Sequence, residues 1–243
     1  MTKKESVYRR KTCRGCGSES LELVFALKPS PIGDAYVPQE KIDEEQKQFP
    51  IDLFMCKDCG LAQLSDVIDP DVLYGDYIYV TSSSMGLSQH FDEYAGKVID
   101  RVGLSEGDQV VDLGSNDGTL LGSFKRKGLK VLGVEPAGHI ASIANESGIP
   151  TLSAYFNRGQ AREIADRYGK ADVITANNVF ANIDDLDSWV QGVGLLLADN
   201  GVFVFESYYL ADLVRNMVFD FIYHEHLTSL IRLSADFSGL VPG

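Results

Sequence analysis

Three groups of side chains in the 243-residue sequence could do chemistry. Cys13-Arg14-Gly15-Cys16 and Cys56-Lys57-Asp58-Cys59 hold all four cysteines, and each pair is followed by glycine, Gly17 or Gly60. A C-x-x-C-G turn aims two sulfurs and its own N–H groups at one point. Two such knuckles supply the four thiolates of a closed tetrahedral Zn2+ site, with no position left for a reactant, so the predicted metal is structural. The alternatives are unrelated thiol pairs or disulfides. A reducing compartment disfavours disulfides, and a redox C-x-x-C belongs in a βαβ setting that neither pair has. The second group is Asp112-Leu113-Gly114-Ser115-Asn116-Asp117-Gly118, led in by Val110-Val111 and followed by Leu120-Leu121. It reads as a strand, a ligand-binding turn and a helix start, with Gly114 and Gly118 permitting a close backbone approach. The third is Tyr223-His224-Glu225-His226. Here a histidine can take a proton near neutral pH, with Glu225 as its orienter and Tyr223 as a hydrogen-bond donor. The plainer reading is hydrogen-bonded core histidines. A metal between His224 and His226 would need them on one strand face, and no third ligand is evident.

The elements that must position these groups follow from periodicity. Residues 85–102 carry apolar side chains at helical spacing, ending at Gly103. Strand Gln109–Leu113 opens a run of alternating signals: helix Thr119–Arg126, strand Leu129–Val134, helix Ala137–Glu146, strand Ile149–Leu152, helix Gln160–Tyr168, strand Ala171–Ala176, helix Leu186–Leu197 and strand Gly201–Glu206. Such alternation predicts an α/β fold, a doubly wound and mainly parallel Rossmann-like sheet. Ligands of such sheets bind at the carboxyl ends of the strands. Those ends are Asp112–Gly114, Glu135-Pro136, Asn177-Asn178 and Glu206-Ser207. The predicted division is a zinc module over 1–75, the sheet domain with its linker helix over 76–233, and a tail over 234–243. Within 66–84, Tyr74, Tyr77 and Tyr79 with Thr81–Ser84 read either as a packed linker or as a hydroxyl-rich, substrate-facing segment. Phe49–Met55 alternates as a strand leading into the second knuckle.

Charge and composition narrow the ligand. A net charge of −13 opposes a sequence-independent nucleic-acid surface. No apolar run reaches the ~18–20 residues of a membrane span, and no signal region follows the N-terminus; a cytoplasmic protein is expected. Asp112 and Asp117 place carboxylates where a dinucleotide's pyrophosphate would lie, which disfavours NAD. A sulfonium amino acid with a cationic amine fits better, so S-adenosylmethionine is the expected cofactor. Glu135, 23 residues beyond Asp112, is placed to accept its ribose hydroxyls. Asn177 and Asn178 either line this site or cap the next turn.

Together the paired knuckles, Tyr77–Ser83, Val111–Gly118, Gly133–Pro136, Asn177–Ala181 and Tyr223–His226 resemble the bacterial nucleotide-sugar C-methyltransferase family. The resemblance implies a nucleotide-diphosphate keto-deoxysugar as partner. It also implies roles at the sugar for Tyr79, Tyr223, Glu225 and His226. Family members continue into a further α/β domain; this sequence stops at Gly243, has Thr228-Ser229-Leu230 where an aromatic is common, and has Asn182 where His is expected. The expected chemistry is removal of a proton beside a ketone by His226, followed by methylation of the enolate carbon. O- or N-methylation of a small metabolite, or S-adenosylmethionine binding without turnover, are the competing readings.

Overall fold

The computed structural model describes residues 6–33, 36–75, 77–218 and 220–230. They form two compact units. One takes the chain up to Ile78, then Phe180–Asp187 and the stretch from Ser207; the other takes Tyr79–Val179 and Ser188–Glu206.

The first unit begins with β1 (Val7–Arg9), β2 (Leu21–Phe25), β3 (Leu53–Cys56), β4 (Ala62–Leu64), β5 (Asp66–Ile68) and a short helix α1 (Pro70–Tyr74). Strands β2, β3 and β4 pair antiparallel, and the second knuckle is the turn between β3 and β4. The first knuckle precedes β2. The strand read over Phe49–Met55 starts later than its alternation suggests. Pro50 has no N–H to give a ladder, so Phe49 makes only an isolated bridge to Ser30. Part of the segment read as linker is also strand. All three residues of β5 are buried, and β5 pairs antiparallel with β1, with Asp66 facing Arg9 at 3.4 Å. Three residues, one of them an acid, are too few for a period to show.

The second unit contains α2 (Leu87–Val102), β6 (Gln109–Leu113), α3 (Thr119–Arg126), β7 (Lys130–Glu135), α4 (Gly138–Glu146), β8 (Thr151–Ser153), α5 (Arg158–Tyr168), β9 (Ala171–Asn177), α6 (Leu186–Leu196) and β10 (Leu197–Glu206). Its sheet runs β10-β9-β6-β7-β8 with every pairing parallel. The order reverses beside β6, which makes the carboxyl ends of β6 and β9 the switch point where such sheets take ligands. Val110 of β6 and Val173 of β9 pack with Leu120, Leu121 and Phe124 of α3 and with Ala95 and Val98 of α2. Each large apolar side chain sealed there contributes about 1.5–3 kcal/mol. This core holds the β6–α3 turn in place.

The chain then returns to the first unit through α7 (Leu210–Arg215) and β11 (Thr228–Ser229). Strand β11 pairs antiparallel with β4, giving a sheet in the order β11-β4-β3-β2. The division read along the sequence at residue 76 therefore differs from the structural units. Residues after Ser207 complete the cysteine-bearing sheet, because β4 offers β11 an edge. The tail read over 234–243 lies outside the described residues. Among the described residues no helix is long and apolar enough to cross a membrane.

Candidate functional site

The four cysteine sulfurs lie within 4.8 Å of one another. Cys13 Sγ is 3.5 Å from Cys59 Sγ, and Cys16 Sγ is 3.6 Å from Cys56 Sγ. A tetrahedron with Zn–S bonds of about 2.3 Å has edges of about 3.8 Å, so the sulfurs are set for one ion. The knuckles share one geometry. Gly17 N–H donates to Cys13 O at 3.0 Å and Gly60 N–H to Cys56 O at 2.9 Å. Both glycines are left-handed, at φ +75° and +78°, where a Cβ is costly. This is the only such group of potential metal ligands among the described residues. His224 is instead a buried core residue, with its Nε2 3.3 Å from Phe49 O.

Arg14, inside the first knuckle, turns inward. Its side chain is fully buried and paired with Asp184 at 2.9 Å. Its Nη1 donates to Leu64 O at 2.5 Å and to Leu227 O at 3.3 Å. Its backbone N–H is taken by Gln63 Oε1 at 2.9 Å. Tyr8 and Arg10 also bond Asp184. One buried cation thus ties the first knuckle to β4 and to the residue after His226. No sequence pattern marks this, since an arginine between two ligands reads as solvated. Arg14→Met is expected to cost about 3 kcal/mol, the low end for breaking a buried pair, because Arg10 still faces Asp184. Arg10→Met, at a partly exposed pair, should cost about 1 kcal/mol or less. Urea denaturation of the zinc-loaded protein measures both; equal costs would refute the buried-pair account.

In the second unit the residues read as cofactor ligands divide by what they touch. Asp112 is buried and accepts from Thr175 Oγ1 at 2.6 Å. Burial pushes its carboxyl up to about 7, the Thr175 bond opposes this, and the Glu135 charge adds to it. Gly114 is left-handed at φ +72°, and a Cβ there would meet Val179 at 2.3 Å. A Cβ on Gly118 would meet Ile149 at 2.9 Å, so close packing as well as ligand approach requires these glycines. Ser115 Oγ turns toward Gly133 and is a buried atom without a partner. Asn116 and Asp117 direct their side chains to the 79–82 segment.

Glu135 is buried at the end of β7, and its pKa is raised by burial against two backbone hydrogen bonds. Its Oε2 accepts Asn116 N–H and its Oε1 accepts Ala137 N–H, each at 2.9 Å. Pro136 has no N–H, so the next one, on Ala137, turns back to the carboxylate. Carboxylate oxygens have about four acceptor sites between them, so capacity remains for ribose hydroxyls. At the end of β9, Asn177 Oδ1 accepts from Tyr94 at 3.2 Å, while its Nδ2 is a buried donor without a partner. A ligand acceptor at the sheet edge would satisfy it, and this fits a cofactor there. Asn178 is a left-handed turn residue at φ +58°, and its Nδ2 donates to Glu206 Oε1 at 3.3 Å. His90 of α2 faces the other Glu206 oxygen at 3.7 Å. The rule of strand ends points to Glu206, but nothing in the sequence joins it to His90. A groove of about 630 Å³ also runs along α3 and α4, lined by Asp117, Thr119, Lys125, Arg126 and Ile143, but not by Glu135 or Asn177.

Tyr223, Glu225 and His226 lie together in the first unit, in a tight turn closed by His226 N–H to Tyr223 O at 3.0 Å and Leu227 N–H to Glu225 O at 3.1 Å. Glu225 is buried. The His226 ring packs on Tyr223 at 4.1 Å and Tyr208 at 4.8 Å. Its Nδ1 lies 2.8 Å from Phe221 O, an acceptor that only an Nδ1–H can satisfy. In the neutral ring Nε2 therefore carries the lone pair. Burial holds the imidazole below its ordinary 6.5, against the Phe221 bond. Tyr74, read only as part of a tyrosine cluster, proves to be half-buried, with its hydroxyl sealed near Glu225, Tyr223 and Asn182; loss of solvent around the phenol and the Glu225 charge push its pKa well up. Tyr79 belongs to the second unit, half-exposed, with its hydroxyl 3.0 Å from Ser84 Oγ.

The parallel sheet in this order, the glycine turn after β6, the acid ending β7 and the four-thiol cluster define an S-adenosylmethionine-binding methyltransferase domain with a zinc-binding module. Residues 87–235 match the methyltransferase domain family, and the chain belongs to it. Residues 13–74 match a zinc binding domain family. The chain is 38% identical over 216 residues to the C-methyltransferase NovU of Streptomyces niveus, covering 89% of this chain and 51% of that protein. It is 29% identical over 103 residues to a ubiquinone biosynthesis O-methyltransferase of Azorhizobium caulinodans, covering 41% and 40% of the two chains. It thus spans about half, or less, of the length of these curated relatives. A solved S-adenosylmethionine-dependent methyltransferase from Clostridium acetobutylicum aligns with TM-score 0.43 and 22% identity, over 53% of this chain and 54% of that one.

Proposed function

We propose that this chain takes part in C-methylation of a nucleotide-linked keto-deoxysugar, with His226 as the base that generates an enolate. The observation that carries this reading is the His226 tautomer: Nδ1 is tied to Phe221 O, burial favours the neutral ring, and Nε2 is left as a proton acceptor. Likeness to a C-methyltransferase supports carbon as the methylated atom. A carbon beside a ketone becomes nucleophilic only after losing a proton, so the reaction needs a base able to break a C–H bond before attack, a demand that methylation of a hydroxyl oxygen does not make.

S-adenosylmethionine, when bound, supplies a methyl group on a cationic sulfur. The chain's own residues do the rest. Asp112 and Gly114–Gly118 shape the cofactor loop, Glu135-Pro136 holds the ribose, and Asn177-Asn178 present donors at the end of β9. His226 takes the proton. Glu225 fixes the turn that carries it. Tyr223 and Tyr79 donate hydrogen bonds to the sugar or to the enolate oxygen, since a phenol stays protonated near neutral pH. Four free thiols gathered as a ligand set fit a reducing, cytoplasmic setting.

The test is product analysis with methyl-labelled S-adenosylmethionine and a panel of keto-deoxysugar nucleotides. A new carbon–methyl bond is the expected result, together with solvent deuterium entering the carbon beside the ketone. Label on oxygen or nitrogen without such exchange would overturn the carbon reading. Cofactor binding without turnover on any member of the panel would favour a non-catalytic role.

A further inference from the structure

Asn116 lies in the β6–α3 turn and holds a left-handed backbone at φ +49°. Asparagine tolerates that region better than most residues. Its backbone N–H and both polar atoms of its side chain are engaged. Its N–H donates to Glu135 Oε2 at 2.9 Å. Its Nδ2 donates to Tyr79 O at 2.9 Å, and its Oδ1 accepts Thr81 N–H at 2.8 Å. The side-chain amide thus pairs with both peptide groups flanking Val80, as a neighbouring strand would. Asp117 extends the grip: its Oδ2 accepts Ser82 N–H at 2.9 Å, and its Oδ1 accepts from Thr119. Tyr79 is 40% exposed, so packing alone does not fix it.

We propose that Asn116 is a positioning residue that couples occupancy of Glu135 to the placement of Tyr79. This rests on the reading of Glu135 as the ribose acceptor and of Tyr79 as a sugar-facing donor. Ligand hydroxyls that use the remaining acceptor capacity of Glu135 share the oxygen that takes Asn116 N–H, and any adjustment of Asn116 moves the amide that holds residues 79–81. Asparagine is the residue type this requires. Aspartate lacks the donor for Tyr79 O, and glycine keeps the left-handed turn and the N–H but lacks the amide.

The experiment is hydrogen exchange at the Thr81 and Ser82 amides, with and without S-adenosylhomocysteine, in the wild type and in Asn116→Gly, alongside calorimetry. The expected result is ligand-induced slowing of at least tenfold in the wild type and none in Asn116→Gly at a ligand concentration that calorimetry shows to be saturating. Equal slowing in both proteins, or none in a wild type that binds the ligand, would overturn the proposal. A wild type that does not bind would instead sink the cofactor reading on which it rests. In turnover, Asn116→Gly combined with Tyr79→Phe should be no slower than Tyr79→Phe alone; multiplied losses would show that Asn116 does not act through Tyr79.

Discussion

Replacing His226 with alanine is expected to lower methyl transfer by at least about a hundredfold, the lower range for loss of a general base, with S-adenosylmethionine affinity retained. Affinity should hold because the loop, Glu135 and Asn177 all belong to the other structural unit. Deuterium exchange into the substrate carbon should disappear with methyl transfer, since both begin with the same proton. The pH dependence has a definite sign. Burial depresses the imidazole pKa below 6.5, so the active neutral form is lost as pH falls through that depressed value. Activity should therefore rise through the acidic range and be level by about pH 7. Stability should move in the same direction. A histidine that resists protonation when folded stabilises the protein above its unfolded pKa, and this contribution is lost on acidification. His224 is also buried with a lowered pKa, so the stability profile belongs to both rings. The isotope exchange is expected to depend on His226 alone, and its persistence in His226→Ala would refute the assignment.

What the sequence reveals here follows the range of the interaction. The helix expected over Thr119–Arg126 coincides with α3, because Leu120, Leu121 and Phe124 repeat at helical spacing between two glycines. The parallel sheet is equally readable, since each β–α step is local and amphipathic. The cysteine cluster is readable because ligand chemistry fixes its spacing. Strands β1, β5 and β11 are not. Each is three residues or fewer, and each is defined by a partner distant in sequence, as Thr228 is by Gln63. At the candidate site, residue types are legible but side-chain directions are not. Asn116 and Asp117 belong to the cofactor loop by position, yet their amide and carboxylate hold residues 79–82. A motif fixes where the backbone turns. The destination of each side chain depends on a segment some 35 residues earlier, which no local pattern records.

Removing zinc is expected to unfold the first unit and to abolish methyl transfer, while the parallel sheet retains its fold and binds S-adenosylmethionine. Magnitudes decide this. A structural zinc site contributes about 10–16 kcal/mol of folding free energy, whereas a whole domain has about 5–15 kcal/mol to lose. The apolar cluster of this unit, Ile51, Leu53, Ala62, Leu64 and Leu210, is too small to replace the metal. The loss should spread beyond the knuckles because Cys13 and Cys16 bracket Arg14, whose guanidinium holds Leu227 O, and because β11 hangs on β4. Freed thiolates would let Arg14 leave its site, and the turn bearing His226 would lose its anchor. Chelation followed by hydrogen exchange should therefore expose amides in 53–64 and 223–229 together, with those of β6 and β9 still protected. Restoring zinc should restore both segments and turnover. Exchange confined to residues 13–17 and 56–60, with methyl transfer intact, would show that the metal fastens only its own knuckles and that the Arg14 link carries no load.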